Sequence, residues 1–250
     1  MSTLIITNGD AAADNMREAR INGEILCWRD VLHEGPVPPT GTLAELTAIR
    51  AEYLADRGWG EREEIATYLQ ARDRGLAHST AFDRVVLWFE HDLYDQLQLL
   101  QILDWFSREQ MNADGSLLLV QASEFLGRQT EVEIEALRAL EEPVTPEQFA
   151  LAADAWAAFR TPTPERFQAF LRGDLSPLPF LASAVRRMLE ELPATTASPE
   201  ASGRSSALLA EGSPRRRPCS LRCSGLSRPR SWETGASSAC SMGLGSPASL

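Results

Sequence analysis

The chain of 250 residues is 44% hydrophobic and 24% charged, long enough for one large domain or two small ones with a real core. No apolar run approaches the ~18 residues of a membrane span, and MSTLIITNGD lacks the basic and apolar regions of a signal peptide, so a cytoplasmic protein without membrane contact is expected. The net charge of −11 is uneven: residues 194–250 hold seven Arg and three Glu, leaving −15 on residues 1–193, and so acidic a body argues against direct nucleic-acid binding by that part.

Residues 3–7 (TLIIT) are an apolar, β-branched run that stops at Asn8-Gly9-Asp10, which predicts a buried strand and then a helix at about 11–20. A second strand is expected over residues 24–28, followed by the Pro/Gly loop HEGPVPPTG. Thr42 with Glu45 is a capping-box pair opening a helix over about 43–56, and another helix covers about 61–75. Residues 84–89 read as the third strand. Leu93, Leu97, Leu100, Leu103 and Phe106 then recur every three or four residues, one stripe of a helix. Residues 116–120 give a fourth strand and 129–141 a helix. Strands alternating with helices imply parallel pairing, so residues 1–142 read as an α/β domain with an open, mostly parallel, Rossmann-like doubly wound sheet.

From about 143 the chain turns helical, and 143–193 is expected to pack on that domain. Thr145-Pro146 and Thr163-Pro164 each set a capping residue ahead of a proline suited to the first helical turn. Phe149, Trp156 and Phe159 form one apolar stripe, and Leu181, Val185, Met188 and Leu192 another, both core-facing by default.

After Pro193 the character changes. The last 57 residues hold 14 Ser, three of the four Cys and the run Arg215-Arg216-Arg217, with almost no hydrophobic periodicity. As printed they read as an irregular, disordered tail. Read one base out of frame from about Thr196 with GC-rich codons, the same stretch regains helix caps, apolar periodicity and low cysteine, so a frameshift origin is the expectation. Cys219 and Cys223 are then no zinc half-site and the Arg run no nucleic-acid arm. Cys27 is alone before position 219, which leaves no disulfide framework in the folded part.

The phrases TNGD, CWRDVLHEGPVP and VVLWFEHDLYDQLQLLQILDWF together make the chain resemble the bacterial family catalogued as domain of unknown function 1835, over roughly residues 4–125 and into the helical segment. The resemblance implies an α/β fold and a bacterial source. It carries no known activity and no assigned catalytic residues.

In an open parallel sheet, ligands bind outside the carboxyl ends of the strands, where strand order reverses. Every strand here ends in polar residues: Asn8, Gly9 and Asp10; Trp28, Arg29 and Asp30, with His33 and Glu34 beyond; Glu90, His91 and Asp92, with Asp95 and Gln96 one turn on; Gln121 and Ser123. Asp10, Asp30, Glu90 and Asp92 are oxygen ligands of the kind a hard cation takes. Asp10, His33, His91 and Asp92 are the candidates for catalysis, the imidazoles because they titrate near neutral pH. Arg29 can clamp a carboxylate or phosphate, and Asn8-Gly9 before a helix can present backbone amides to an anion. Against these stand plain structural roles. Asp10 and Asp92 can cap the helices they precede, Arg29 can pair with Asp30 or Glu90, and Trp28 and Trp88 can be core.

There is no glycine-rich dinucleotide fingerprint, Walker loop or GxSxG elbow, and the sequence identifies no metal site or cofactor. The leading expectation is a small-ligand or nucleotide-binding α/β domain. The alternatives are a ligand-sensing transcriptional regulator whose C-terminal helix-turn-helix is lost by the frameshift, and a protein-interaction module without catalysis.

Overall fold

The structure, a computed structural model, describes residues 1–109 and 116–191. Leu192 and the tail, with the frame question attached to it, lie outside the described residues. In chain order the elements are β1 (Thr3–Thr7), α1 (Asp10–Glu18), β2 (Glu24–Cys27), α2 (Leu43–Asp56), α3 (Arg62–Ala77), β3 (Arg84–Glu90), α4 (Leu93–Glu109), β4 (Leu117–Ala122), α5 (Glu131–Leu137), β5 (Glu142–Pro143), α6 (Pro146–Phe159), α7 (Glu165–Ala169) and α8 (Leu181–Glu191). The sheet order is β2-β1-β3-β4-β5, the first four strands parallel and β5 antiparallel to β4. This is the open, mostly parallel α/β fold that the alternation of strands and helices predicts.

Side chains alternate across each strand, so the two faces of the sheet carry separate cores. Ile5, Val86, Trp88, Val120 and Ala122 pack against Ala12 and Met16 of α1 and Ile134 of α5. Leu4, Ile6, Leu87, Phe89 and Leu119 point the other way, into a larger core with α4. The α4 stripe is buried as expected, and Leu99 and Ile102, which were not part of it, are buried too. The reason is a further layer: Ala152, Ala155 and Trp156 of α6 and Leu181 and Val185 of α8 belong to the same continuous core. Among the described residues no helix is long and apolar enough to cross a membrane.

Local chemistry explains most helix starts. Thr42 accepts from the Glu45 amide while Glu45 accepts from the Thr42 amide, and Thr145 with Gln148 does the same with Pro146 in the first turn. The expected cap at Thr163 differs. Pro164 itself takes the cap position of α7, its φ of −79° fitting the pyrrolidine ring, and no side chain caps that helix. The helix expected over 129–141 is shorter, and the unexpected β5 follows directly after that stretch. α5 stops at Leu137, and the two-residue strand pairs Pro143 with Leu118 at the sheet edge, a place where a missing N–H is tolerated.

The loop after β2 is held by a buried ion network. Arg50 of α2, 0% exposed, donates from Nε and Nη2 to Asp30 at 3.0 and 2.7 Å, and reaches the Glu34 and Val31 carbonyls at 2.7 and 3.0 Å. Arg72 of α3 stands 3.9 Å from the same carboxylate and lies over the Trp28 ring at 4.0 Å. The turn continues through Gly35 at φ +78°, where the Tyr53 ring fills the space a Cβ would need, so glycine is required twice over. Removing one partner of a buried pair strands the other charge. Arg50→Ala is therefore expected to cost roughly 3–5 kcal/mol in urea denaturation, and the double variant D30N/R50M is expected to recover most of that loss.

Candidate functional site

The chain runs from β1 outward to β2, then crosses back to β3 on the other side of β1. The carboxyl ends of β1 and β3 therefore flank the reversal, the place where such a sheet opens a crevice. Asn8 leaves β1 there, and Glu90 ends β3. Gly9 has extended backbone, and a Cβ built on it would meet nothing within 4 Å, so the space in front of the β1 end is open.

Asn8 joins the two strands through its side chain. Its Nδ2 donates to Asp95 Oδ1 at 2.6 Å and also bonds Glu90. The other Asp95 oxygen accepts the Glu90 backbone N–H at 2.6 Å, so α4 is tied to the end of the strand it follows. Glu90 accepts from the Leu126 amide at 2.7 Å and from the Gly127 amide, both in a short 3-10 turn, Leu126–Arg128, after β4. Gln96 donates to the Glu90 carbonyl at 2.7 Å. Asp92 caps α4, accepting from the Asp95 amide at 2.9 Å.

Two carboxylates, Glu90 and Asp95, thus share the Asn8 amide, with Asp92 held by the Asp95 amide, and among the described residues no arginine bonds any of the three. Burial, and then the charges of Glu90 and Asp92, push Asp95 well above the usual carboxylate range. Burial, followed by the charge of Asp92, carries Glu90 up to about 7, with the Leu126, Asn8 and Gly127 donors pulling it back. Two buried acids this close titrate as a pair, and burial with mutual repulsion shifts both toward the protonated form. A carboxyl that exchanges its proton near neutrality is suited to general acid–base work.

The other strand-end residues divide into rim and support. His91 is half-buried on the rim, its ring 5.0 Å from Phe125 and 6.1 Å from Phe180, with Nδ1 buried and unbonded. Gln121, half-buried at the end of β4, leaves its Oε1 buried without a donor. Asp10 does not cap α1, whose cap position is Gly9. It accepts two bonds from Arg29, one of them 2.9 Å, and Arg29 lies 4.7 Å over the Tyr68 ring. The Arg29 partner is therefore Asp10, and not Asp30 or Glu90. Trp28 and Asp30 are 0% and 3% exposed, Trp28 bonded to Gln101 at 2.9 Å and Asp30 held by Arg50, so both support the site from beneath. His33 stands apart from His91, edge-on to Tyr94 at 6.2 Å and 3.9 Å from Glu34. Asp10, Asp30, Glu90 and Asp92 do not converge, and among the described residues no three His, Cys, Asp or Glu side chains are grouped to hold a metal ion.

Sequence reading placed Asp95 and Gln96 one turn into the helix without a role, and passed over Phe125 and Phe180. Position i+3 after a strand-end Asp is a capping-box position, which could have singled out Asp95. Nothing local announces the two phenylalanines, which meet His91 only through the fold. A concavity of about 410 Å³ formed mainly by α6 and α7 residues, among them Asp154 and Arg166, includes none of the strand-end groups.

The Glu90 shift fixes the sign of a pH effect. The unfolded chain gives up this proton near 4.5 and the folded chain only near 7, so the stability it contributes is full below 4.5 and is lost as pH rises through 7. Glu90→Gln is expected to remove roughly 3 kcal/mol of that decline between pH 4.5 and 8, measured as the change in urea unfolding free energy. A wild-type slope no steeper than that of E90Q would show that Glu90 titrates normally.

In comparisons with family models, curated proteins and solved structures, the chain matches none of them.

Proposed function

We propose that the chain binds a small ligand at the β1–β3 reversal, in the space bounded by Asn8, Gly9, Glu90 and His91. The observation that carries this reading is the Asn8 amide shared by Asp95 and Glu90. A protein building only a core has no need to bring two acids together, because burying like charges costs stability and apolar side chains of equal volume would not. Such costs are characteristic of sites where a group has a task. The open space before Gly9 gives access, and the half-buried ring of His91 supplies a wall. The proton on the acid pair gives the site a means of acting on a bound molecule, with Glu90 the group to give or take it.

The apolar stripes of α6 and α8 are turned onto α4, and among the described residues the large hydrophobic side chains standing exposed are Met1, Val132 and Leu140, outside those helices. The helical segment therefore adds no support for a docking role.

A thermal-shift screen of the full chain against nucleosides, amines, amino acids and organic acids tests the reading. At least one class is expected to raise the melting temperature by several degrees, with the gain lost in Asn8→Ala and kept in Glu34→Gln, a surface control. A ligand whose stabilisation survives both Asn8→Ala and Glu90→Gln binds elsewhere and overturns it.

A further inference from the structure

Asparagine is a thermolabile side chain, most of all when glycine follows it. With no side chain in the way, the glycine nitrogen can close on the asparagine side-chain carbonyl. The sequence holds this dipeptide twice, at Asn8-Gly9 and at Asn22-Gly23. The fold treats the two in opposite ways. Asn8 is half-buried, and its Nδ2 donates to Asp95 Oδ1 at 2.6 Å and bonds Glu90. Gly9 is fixed beside it at the start of α1, its carbonyl accepting the Ala13 amide at 3.1 Å. Asn22 and Gly23 are both exposed, in the turn between α1 and β2. Among the described residues neither the Asn22 side chain nor the Gly23 amide has a hydrogen-bond partner.

We infer that Asn22 is a site of self-modification, at which the Gly23 nitrogen displaces ammonia and water then leaves aspartate or isoaspartate, while its bonds protect Asn8 from the same chemistry. The Gly23 N–H gives up its proton and the nitrogen attacks Asn22 Cγ. The Cγ–Nδ2 bond breaks, and Nδ2 leaves as ammonia with a proton in place of the one given up. Water then opens the five-membered imide. Cleavage at the side-chain carbonyl gives aspartate, and cleavage at the main-chain carbonyl gives isoaspartate. No oxidant or reductant takes part. At Asn8 the same closure must first withdraw Nδ2 from Asp95 and Glu90, leaving buried acceptors short of a donor. Its product would also set another carboxyl among Glu90, Asp92 and Asp95 in place of the donor they had. At Asn22 no bond is lost, and Gly23 stands at φ +155°, a setting that glycine takes freely.

The product acts on the edge of the sheet. Glu24 pairs with Leu4 as the first rung of β2, the outermost strand on that side. A Cβ built on Gly23 would come 3.0 Å from the Thr3 carbonyl oxygen, so the chain already runs close to β1 there. Isoaspartate routes the backbone through the side chain and adds a methylene just ahead of that approach, which loosens the amino end of β2. The new charge beside exposed Glu24 adds little by itself.

The test is peptide mapping by mass spectrometry after incubation of the full chain at 37 °C, at pH 6 and at pH 8. The chain has no lysine, so trypsin cuts after arginine alone and separates residues 1–17 from residues 21–29, one dipeptide in each fragment. In the folded chain Asn22 is expected to gain one mass unit at least tenfold faster than Asn8, with Asn15 in the first fragment resolved by fragmentation. Conversion is expected to be faster at pH 8, because the attacking nitrogen must lose its proton. In denaturing urea the two sites are expected to convert at rates within a few-fold of each other. Asn22→Gln is expected to stop the gain in its fragment. Hydrogen exchange at Glu24 and Ile25 is expected to quicken several-fold as the wild-type chain ages, and to stay constant in the aged Asn22→Gln chain. Asn8 converting as fast as Asn22 in the folded chain would overturn the inference. So would an Asn22 that stays intact when folded yet converts in urea, or an Asn8 rate that unfolding leaves unchanged.

Discussion

Asp95 is fully buried, and a carboxylate in that position has to be satisfied before the carboxyl edge of the sheet can be arranged around it. Its two oxygens are met from different directions, one by Asn8 at the end of β1 and the other by the Glu90 amide at the end of β3. Those two strands are the pair between which the chain reverses its order. The bonds made to satisfy one acid therefore also fix the relative position of the two strand ends that bound the crevice. Gln96, one residue on, adds a third tie to the Glu90 carbonyl, so the first turn of α4 cannot shift without loosening β3.

The same fold buries a second carboxylate, Asp30, and treats it in the opposite way. Arg50 gives it two short charge-assisted bonds and Arg72 stands within reach, so that acid is neutralised by fixed positive charge. At Glu90 and Asp95 no arginine is among the bonded partners in the described residues, and burial pushes both carboxyls toward their protonated forms. An arginine pair is permanent, because the guanidinium does not titrate in the accessible range. A shared proton can be exchanged or displaced. One buried acid is thus held by arginine and the other pair by neutral donors, although both sit at strand ends and look alike as sequence.

That likeness decides how much could be read without coordinates. Continuous apolar, β-branched runs placed β1 and β3 and a stripe recurring every three or four residues placed α4, while Thr42–Glu45 and Thr145-Pro146 set the starts of α2 and α6, because caps and stripes are local chemistry. The strand order was not legible, since alternation implies parallel pairing but not which side of β1 receives β3. β5 was invisible for the same reason: two residues carry no periodicity, and only the exposed edge of β4 makes Glu142–Pro143 a strand. Asp10, Arg29, Asp30 and Glu90 were all legible as polar strand ends. Their partners were not, because Arg50 lies 20 residues from Asp30, and Leu126 36 residues from Glu90.

The helical segment reaches the strand-end residues through Phe180. α6 and α8 cover α4 with apolar side chains, which is why that helix is buried nearly all round, and the chain entering α8 brings Phe180 to within 6.1 Å of the His91 ring. Phe125, from the loop that also presents the Leu126 amide to Glu90, meets the same ring at 5.0 Å. The rim is thus assembled from three places: the end of β3, the turn after β4 and the approach to α8. A change in how α8 packs on α4 would move Phe180, and with it one wall of the crevice, while leaving Asn8, Glu90 and Asp95 joined. The acid pair belongs to the sheet and the aromatic wall partly to the helices. The helices can therefore move the aromatic rim without disturbing the bonds of Asn8 and the Glu90 amide to Asp95.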